Sequence, residues 1–304
     1  MTLGVDIGGS HLSCALVDEE TKVILTESIS NEKYDHRLSE ADLLKIWVTA
    51  IEAALSHLPA ATPLTGIGFA MPGPFEYANG ISKMEHKLAA FYNKHLPTLL
   101  NQALNHSENI AMRFNNDATC FAIGEAFCGL GRDKKRMTVI TLGTGFGSAF
   151  LEEKVPVVER ADVPPEGCLW HLPFKDGIAD EYFSTRWFIG KYEELTQGKV
   201  SGVKALLEKD PAIIQAVFME FTDNLSGFIA QHLQKFGAEI LVMGGNISKA
   251  LDHFKSPLIE KLEQRGVQIE IVPSTLLENA ALIGSASLFD QQYWERVSKV
   301  LPKL

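Results

Sequence analysis

The chain has 304 residues and only four cysteines, Cys14, Cys120, Cys128 and Cys168, scattered with no CxxC pair among them. That usage speaks against a disulfide framework or a zinc cage and leads us to expect reduced thiols in a cytoplasm. No apolar run reaches the ~18–20 residues of a membrane-spanning helix, and no basic-then-apolar leader precedes the first strand, so neither a span nor a targeting segment is expected. Positive charge is also in short supply: the net charge is −10, and residues 132–136 (RDKKR) form one short basic cluster. Without a basic stripe carrying interleaved aromatics, nucleic acid is not an expected partner. What the chain does have is 46% hydrophobic residues and a mean hydropathy close to zero, enough length and apolar content for two domains with a buried core.

Glycine is where the pattern lies. Residues 138–150, TVITLGTGFGSAF, run as β-formers into a turn with Gly143, Gly145 and Gly147 and then resume as a strand. Glycines at such positions allow positive φ and let backbone N–H groups approach an anion. The N-terminus repeats the design, with LGVDI ending near Asp6, then Gly8, Gly9, Ser10 and His11, then LSCALV. Between the two hairpins stands Asn115-Asn116-Asp117-Ala118, after a strand-like run at 110–114 and before a helix over 118–127. Two phosphate-type turns with an acid between them suit phosphoryl transfer, and a plain helix cap is the simpler job for Asp117.

The rest of the chain reads as alternating α and β. A third strand is expected over 22–30, then a helix capped by Ser39 with Leu43, Trp47, Val48, Ile51 and Leu55 at helical spacing. A buried strand over 64–70 ends in Met71-Pro72-Gly73-Pro74, a rigid loop at the end where α/β folds place ligands. An irregular polar stretch through Glu85, His86 and Lys87 has the length of a binding loop. Glu166, His171 and Glu181 are polar groups among apolar neighbours, as a hydroxyl-rich ligand requires. Helices are expected over 203–207, 211–236 and 277–289 and in the tail 291–304, and strands over 239–243 and 268–273. The first of those strands ends in a third glycine turn, Gly244, Gly245 and Asn246, placed to meet a nucleotide's base or ribose. The expected organisation is two related α/β halves, one over 1–117 with the helix at 290–304 folded back on it and one over 118–289.

VDIGGSH, NNDAT, TLGTGFGSA and VMGGNIS, with the PGP loop, resemble in order and spacing the motifs of the ROK family (repressors, uncharacterised reading frames and sugar kinases) across essentially the whole chain. The resemblance implies a two-domain actin-like, ribonuclease H-like ATPase fold with a cleft between domains. It also implies an ATP-dependent kinase for a hexose or N-acetylhexosamine, with Mg²⁺ and a homodimer, or alternatively a non-catalytic sugar- or nucleotide-sensing protein. By the same resemblance Asp6, Gly8, Gly9 and Ser10 form the first phosphate turn, with Asp6 near the metal–ATP. Gly143, Thr144 and Gly145 form the second, and Gly244, Gly245 and Asn246 the adenosine-side turn. Asn116 and Asp117 bind the sugar, with Gly73 beside them and Asp117 as general base. Glu166 and His171 resemble the family's Glu-x-x-His pair, and Glu181 and Ser184 residues of its downstream signature.

The chain departs from the family pattern in places. Between His171 and Glu181 it reads LPFKDGIAD where the family carries zinc-binding cysteines, so no zinc site is expected. Glu166 and His171 stand five positions apart instead of three, Glu85-His86-Lys87 replaces the usual Asn-Leu-x-Trp, and Ser148 replaces a glycine. The chain starts directly at the first phosphate hairpin, so no helix-turn-helix is expected.

Overall fold

The computed structural model describes residues 1–106 and 108–302. Strands β1 (Thr2–Ile7) and β2 (His11–Val17) form the first hairpin. The third strand lies later than expected. Residues 22–30 hold one isolated bridge, Val17 to Ile24, and a 3-10 turn, Thr26–Ser28, and the strand itself is β3 (Ser30–Lys33). The cause is Ser28, whose hydroxyl accepts from Leu16 N–H at 2.8 Å and donates to Leu25 C=O at 2.6 Å, taking over the bonding a strand would supply. Helix α1 (Glu40–Leu55) starts where Ser39 Oγ accepts from Asp42 N–H, and it buries Leu43, Trp47, Ala50, Ile51 and Ala54.

Strand β4 (Gly66–Met71) is buried along its whole length. A small hairpin, β5 (Phe75–Glu76) and β6 (Ile81–Ser82), then leads to α2 (Leu96–Ala103), β7 (Met112–Asn116) and α3 (Asp117–Cys128). The pattern then begins again. Strands β8 (Arg136–Leu142), β9 (Phe146–Glu152) and β10 (Val155–Pro156) are followed by a short hairpin, β11 (Pro173–Phe174) and β12 (Gly177–Ile178). Helices α4 (Ala179–Tyr182), α5 (Thr185–Thr196), α6 (Val203–Leu206) and α7 (Pro211–Phe236) come next. Asp210 caps α7, Pro211 opens it, and Gly237 ends it in the left-handed conformation. Strand β13 (Ile240–Gly244), helix α8 (Lys255–Gln264), strand β14 (Glu270–Pro273), and helices α9 (Asn279–Ser287) and α10 (Gln291–Val297) complete the order. None of the described helices is long and apolar enough to cross a membrane.

The two large sheets share one topology. The first has the order β3-β2-β1-β4-β7 and the second β10-β9-β8-β13-β14. In each, the outer pair on one side is antiparallel and the two strands on the other side run parallel to the central one. The fold is a mixed α/β one in which the second half repeats the plan of the first.

Two compact units result: Met1–Gly129 with the segment from Glu278 onward, and Leu130–Leu277. The boundaries drawn from sequence at 117/118 and 289/290 therefore shift, because α3 and α9 are both built into the first unit. Gly284 faces the Cys120 carbonyl and Gly124 the Ala280 carbonyl so closely that added methyl carbons would lie 1.7 Å and 2.0 Å from the oxygens. Helix α9 also lies on β1 and β4, with the Leu282 carbonyl over Gly4 and the Ser285 carbonyl over Gly68. The expected tail helix covers only Gln291–Val297, and residues 303–304 of that expectation lie outside the described residues. Arg113 stacks on Phe289 and Trp294 and donates to the Leu288 carbonyl at 2.6 Å, fixing the link between α9 and α10 against β7.

Candidate active site

In the first unit the chemistry gathers at the carboxyl ends of three parallel strands. Asp6 is in register with Ala70, and Met71 with Asn116, so the turn 8–10, the loop holding Gly73 and the Asn116-Asp117 pair leave the sheet at one edge. The turn is closed by Gly8 N–H donating to His11 C=O at 2.8 Å, and Tyr34 braces it, donating its hydroxyl to Gly8 C=O at 2.5 Å and its N–H to Ser10 C=O at 3.0 Å. Gly9 and Ser10 are exposed, and a methyl on Gly9 would meet nothing within 4 Å. Gly73 precedes a cis proline, Pro74.

Asn116 does three things. Its Oδ1 caps α3 by accepting from Thr119 N–H at 3.1 Å, and its Nδ2 donates to Asp117 Oδ1 at 2.9 Å and to the Tyr77 hydroxyl at 3.4 Å. Ala118 N–H also donates to Asp117 Oδ1, at 2.8 Å. One oxygen of Asp117 is thus fixed twice, and among the described residues the other takes no hydrogen bond. The cap role that sequence offered as the plain alternative for Asp117 falls to Asn116, its neighbour.

Charge is crowded here. Burial pushes the Asp6 carboxyl up to about 7, and the charges of Asp117 and Glu278 push in the same direction. A cation arriving with a ligand would relieve that crowding. Among the described residues no three His, Cys, Asp or Glu side chains form a ligand set of their own.

The second unit has a comparable edge. Gly143 N–H donates to Gly145 C=O at 3.0 Å, and the Gly143 carbonyl accepts both the N–H and the hydroxyl of Thr185, each at 2.8 Å. Phe146 N–H donates to Asp180 Oδ1 at 2.7 Å. Thr144 and Gly145 are exposed, and the space beside Gly143 is open. Gly244, in register with Thr141, brings the third turn alongside. Positive φ occurs there, at Gly245 (φ +82°), and not at Gly8, Gly9, Gly143 or Gly145 as the glycine spacing led us to expect. A methyl on Gly245 would lie 2.3 Å from the Leu142 carbonyl, so conformation and space both require glycine. Asn246 is exposed and begins the 3-10 turn Ile247–His253.

Glu166 and His171 lie on the loop after β10, where Glu166 adopts φ +59°. Ser148 holds this loop: its hydroxyl accepts from Leu169 N–H at 2.9 Å and donates to Gly167 C=O at 3.2 Å. A residue that looked like a departure in a phosphate turn is therefore a buried peg of β9. Glu181 is exposed, accepts from Ile178 N–H at 3.0 Å and lines an open groove of about 480 Å³ with Tyr182, Trp187 and Lys191. Ser184 is fully buried and its hydroxyl has no partner among the described residues. Tyr34, Tyr77 and Glu278 in the first unit, and Asp180 and Arg186 in the second, escaped sequence reasoning, since none belongs to a recognisable spacing and each reaches its own unit's edge by tertiary placement.

Comparison with known proteins bears on the family and the fold. A family model described as the ROK family matches residues 2–158. The chain is 24% identical to a glucokinase of Thermotoga maritima, over 95% of this chain and 97% of the relative. It is also 24% identical to an N-acetyl-D-glucosamine kinase of Histophilus somni, over 95% and 99%. The fold matches the crystal structure of a ROK family glucokinase from Streptomyces griseus in complex with glucose and AMPPNP, with a TM-score of 0.73, 21% identity, and coverage of 95% of this chain and 99% of that one.

Proposed function

Because this chain belongs to the ROK family, we propose that it is a sugar kinase that transfers the terminal phosphoryl group of Mg·ATP to a hydroxyl of a hexose or N-acetylhexosamine. The observation that carries this is Asp117, held through one oxygen by Asn116 and Ala118 at the edge where the glycine turn 8–10 also emerges. Its other oxygen accepts the hydroxyl proton as the sugar oxygen bonds to phosphorus and the bridging oxygen leaves with ADP. Phosphoryl transfer asks mainly for positioning and charge neutralisation. Backbone N–H groups of the turns at 8–10 and 143–145 would hold the phosphates, the turn at 244–246 would take the adenosine, and Asp6 would hold the Mg²⁺, which would supply charge neutralisation for the nucleotide. Asn116, Gly73, Glu166, His171 and Glu181 orient the sugar.

A homodimer, a cytoplasmic location and no nucleic-acid partner belong to the same proposal. The family membership supports the first, and the absence of disulfides among the four cysteines suits the second. ADP formation with Mg·ATP across hexoses, amino sugars and N-acetylated sugars tests the assignment. One sugar class is expected to give turnover, and Asp117→Ala is expected to lower kcat by about 10²–10⁴-fold while ATP still binds. Near-normal turnover in that variant removes Asp117 from the base role. Sugar or ATP binding with no turnover on any sugar makes the protein a sensor.

A further inference from the structure

We propose that Arg186 is a phosphate-binding residue of the second glycine turn, with Asp180 as the positioning residue that holds both the turn and the guanidinium. This rests on the kinase assignment above and adds a residue to its donor site. The Asp180 carboxylate has one oxygen on each partner. Oδ1 accepts the N–H of Phe146, the residue directly after Gly145, at 2.7 Å, and Oδ2 takes Arg186 Nη2 at 2.5 Å. A methyl on Gly145 would stand 3.1 Å from Oδ1, so the carboxylate lies against the turn itself. Thr185, the residue before Arg186, donates its N–H and its hydroxyl to the Gly143 carbonyl, each at 2.8 Å. Arg186 is thus tethered to the turn by its side chain, through Asp180, and by its backbone, through Thr185.

Its chemistry suits a phosphate. The Arg186 side chain is 69% exposed against 19% for Asp180, and Asp180 is its only ion-pair partner among the described residues. A guanidinium has five N–H donors in a planar fork matched to phosphate oxygens, and among the described residues only Nη2 of this one makes a hydrogen bond. An ion pair this exposed adds little to stability, so its position at the open Thr144–Gly145 backbone points to a ligand. A carboxylate alone beside that backbone would repel a polyphosphate. Arg186 cancels that charge and adds an attraction of its own, and the neighbouring acid Glu181 is turned to the Ile178 N–H. No covalent step is assigned to Arg186.

The test uses the full-length protein with Mg²⁺. Binding of ATP and of adenosine is measured by calorimetry for wild type, Arg186→Ala and Arg186→Lys, alongside kinetics with the best sugar. Arg186→Ala is expected to weaken ATP binding and raise its KM by about tenfold or more. Adenosine binding and the thermal midpoint stay at wild-type values, and Arg186→Lys falls between. A merely structural role would weaken ATP and adenosine alike, and that result overturns the proposal, as does ATP affinity within about twofold of wild type in Arg186→Ala. Sugar-dependent turnover in wild type with no change in Arg186→Ala defeats this inference alone. A wild type that binds no ATP defeats the kinase assignment and takes the inference with it.

Discussion

Asp6 sits among charges it cannot escape. With its carboxyl raised to about 7 by burial, Asp117 and Glu278, the folded protein keeps a proton there over a range in which an unfolded aspartate, titrating near ~4, has lost it. Between about pH 4 and 7 the folded state therefore binds more protons at this site than the unfolded state, and its contribution to stability falls as pH rises. Above about 7 the loss is complete. Asp6→Asn removes the effect: the nucleotide-free variant is expected to melt higher than wild type at pH 8, and the gap is expected to close toward pH 4. Parallel melting profiles from pH 4 to 8 would show that Asp6 is not under this strain. The expected companion is loss of turnover, which makes Asp6 a residue retained at the expense of stability. Sequence marked Asp6 from its place before a glycine turn. It held no sign of Glu278, which reaches the same field only because α9 returns to the first sheet.

Elements show the same division between what spacing reveals and what packing decides. The run of small residues in α9 and the glycine at 124 in α3 are legible in the sequence itself. Their pairing with each other is not, because more than 150 residues of chain separate the contacting positions Gly124 and Ala280. That contact makes a sharp contrast between glycines. Gly284→Ala drives a methyl into the Cys120 carbonyl and is expected to lose about 1–3 kcal/mol or more in urea unfolding. Gly190→Ala, on the exposed side of α5 with nothing within 4 Å, is expected to gain about 0.5–1 kcal/mol. Equal effects at the two sites would contradict the packing described for α3 and α9. Ser148 belongs to this scale too, since one hydroxyl joins β9 to the loop of Glu166 and His171. Ser148→Ala leaves Leu169 N–H and Gly167 C=O without that partner, and is expected to raise the sugar's KM several-fold, by about 1 kcal/mol of lost positioning, with the KM for ATP unchanged. A rise in the KM for ATP instead would assign Ser148 to the phosphate turn.

For the molecule as a whole, the two hairpins with their glycine turns were enough to foresee two α/β halves, and the sheets repeat one another strand for strand. The first sheet's parallel strands explain why residues as distant in sequence as Asp6, Gly73 and Asp117 reach one edge. The unit boundaries were misplaced because a helix beginning at Asp117 looks like the start of something new, whereas Gly124 binds it to the first unit. The central claim is that Asp117 directs a phosphoryl group from ATP to a sugar hydroxyl, and the most direct test is ³¹P NMR of the products formed by wild type and Asp117→Ala from Mg·ATP and the active sugar. Sugar phosphate and ADP appearing in equal amounts with wild type, and neither with the variant, is the result we expect. Inorganic phosphate in place of sugar phosphate, or the same sugar phosphate from both proteins, would contradict it.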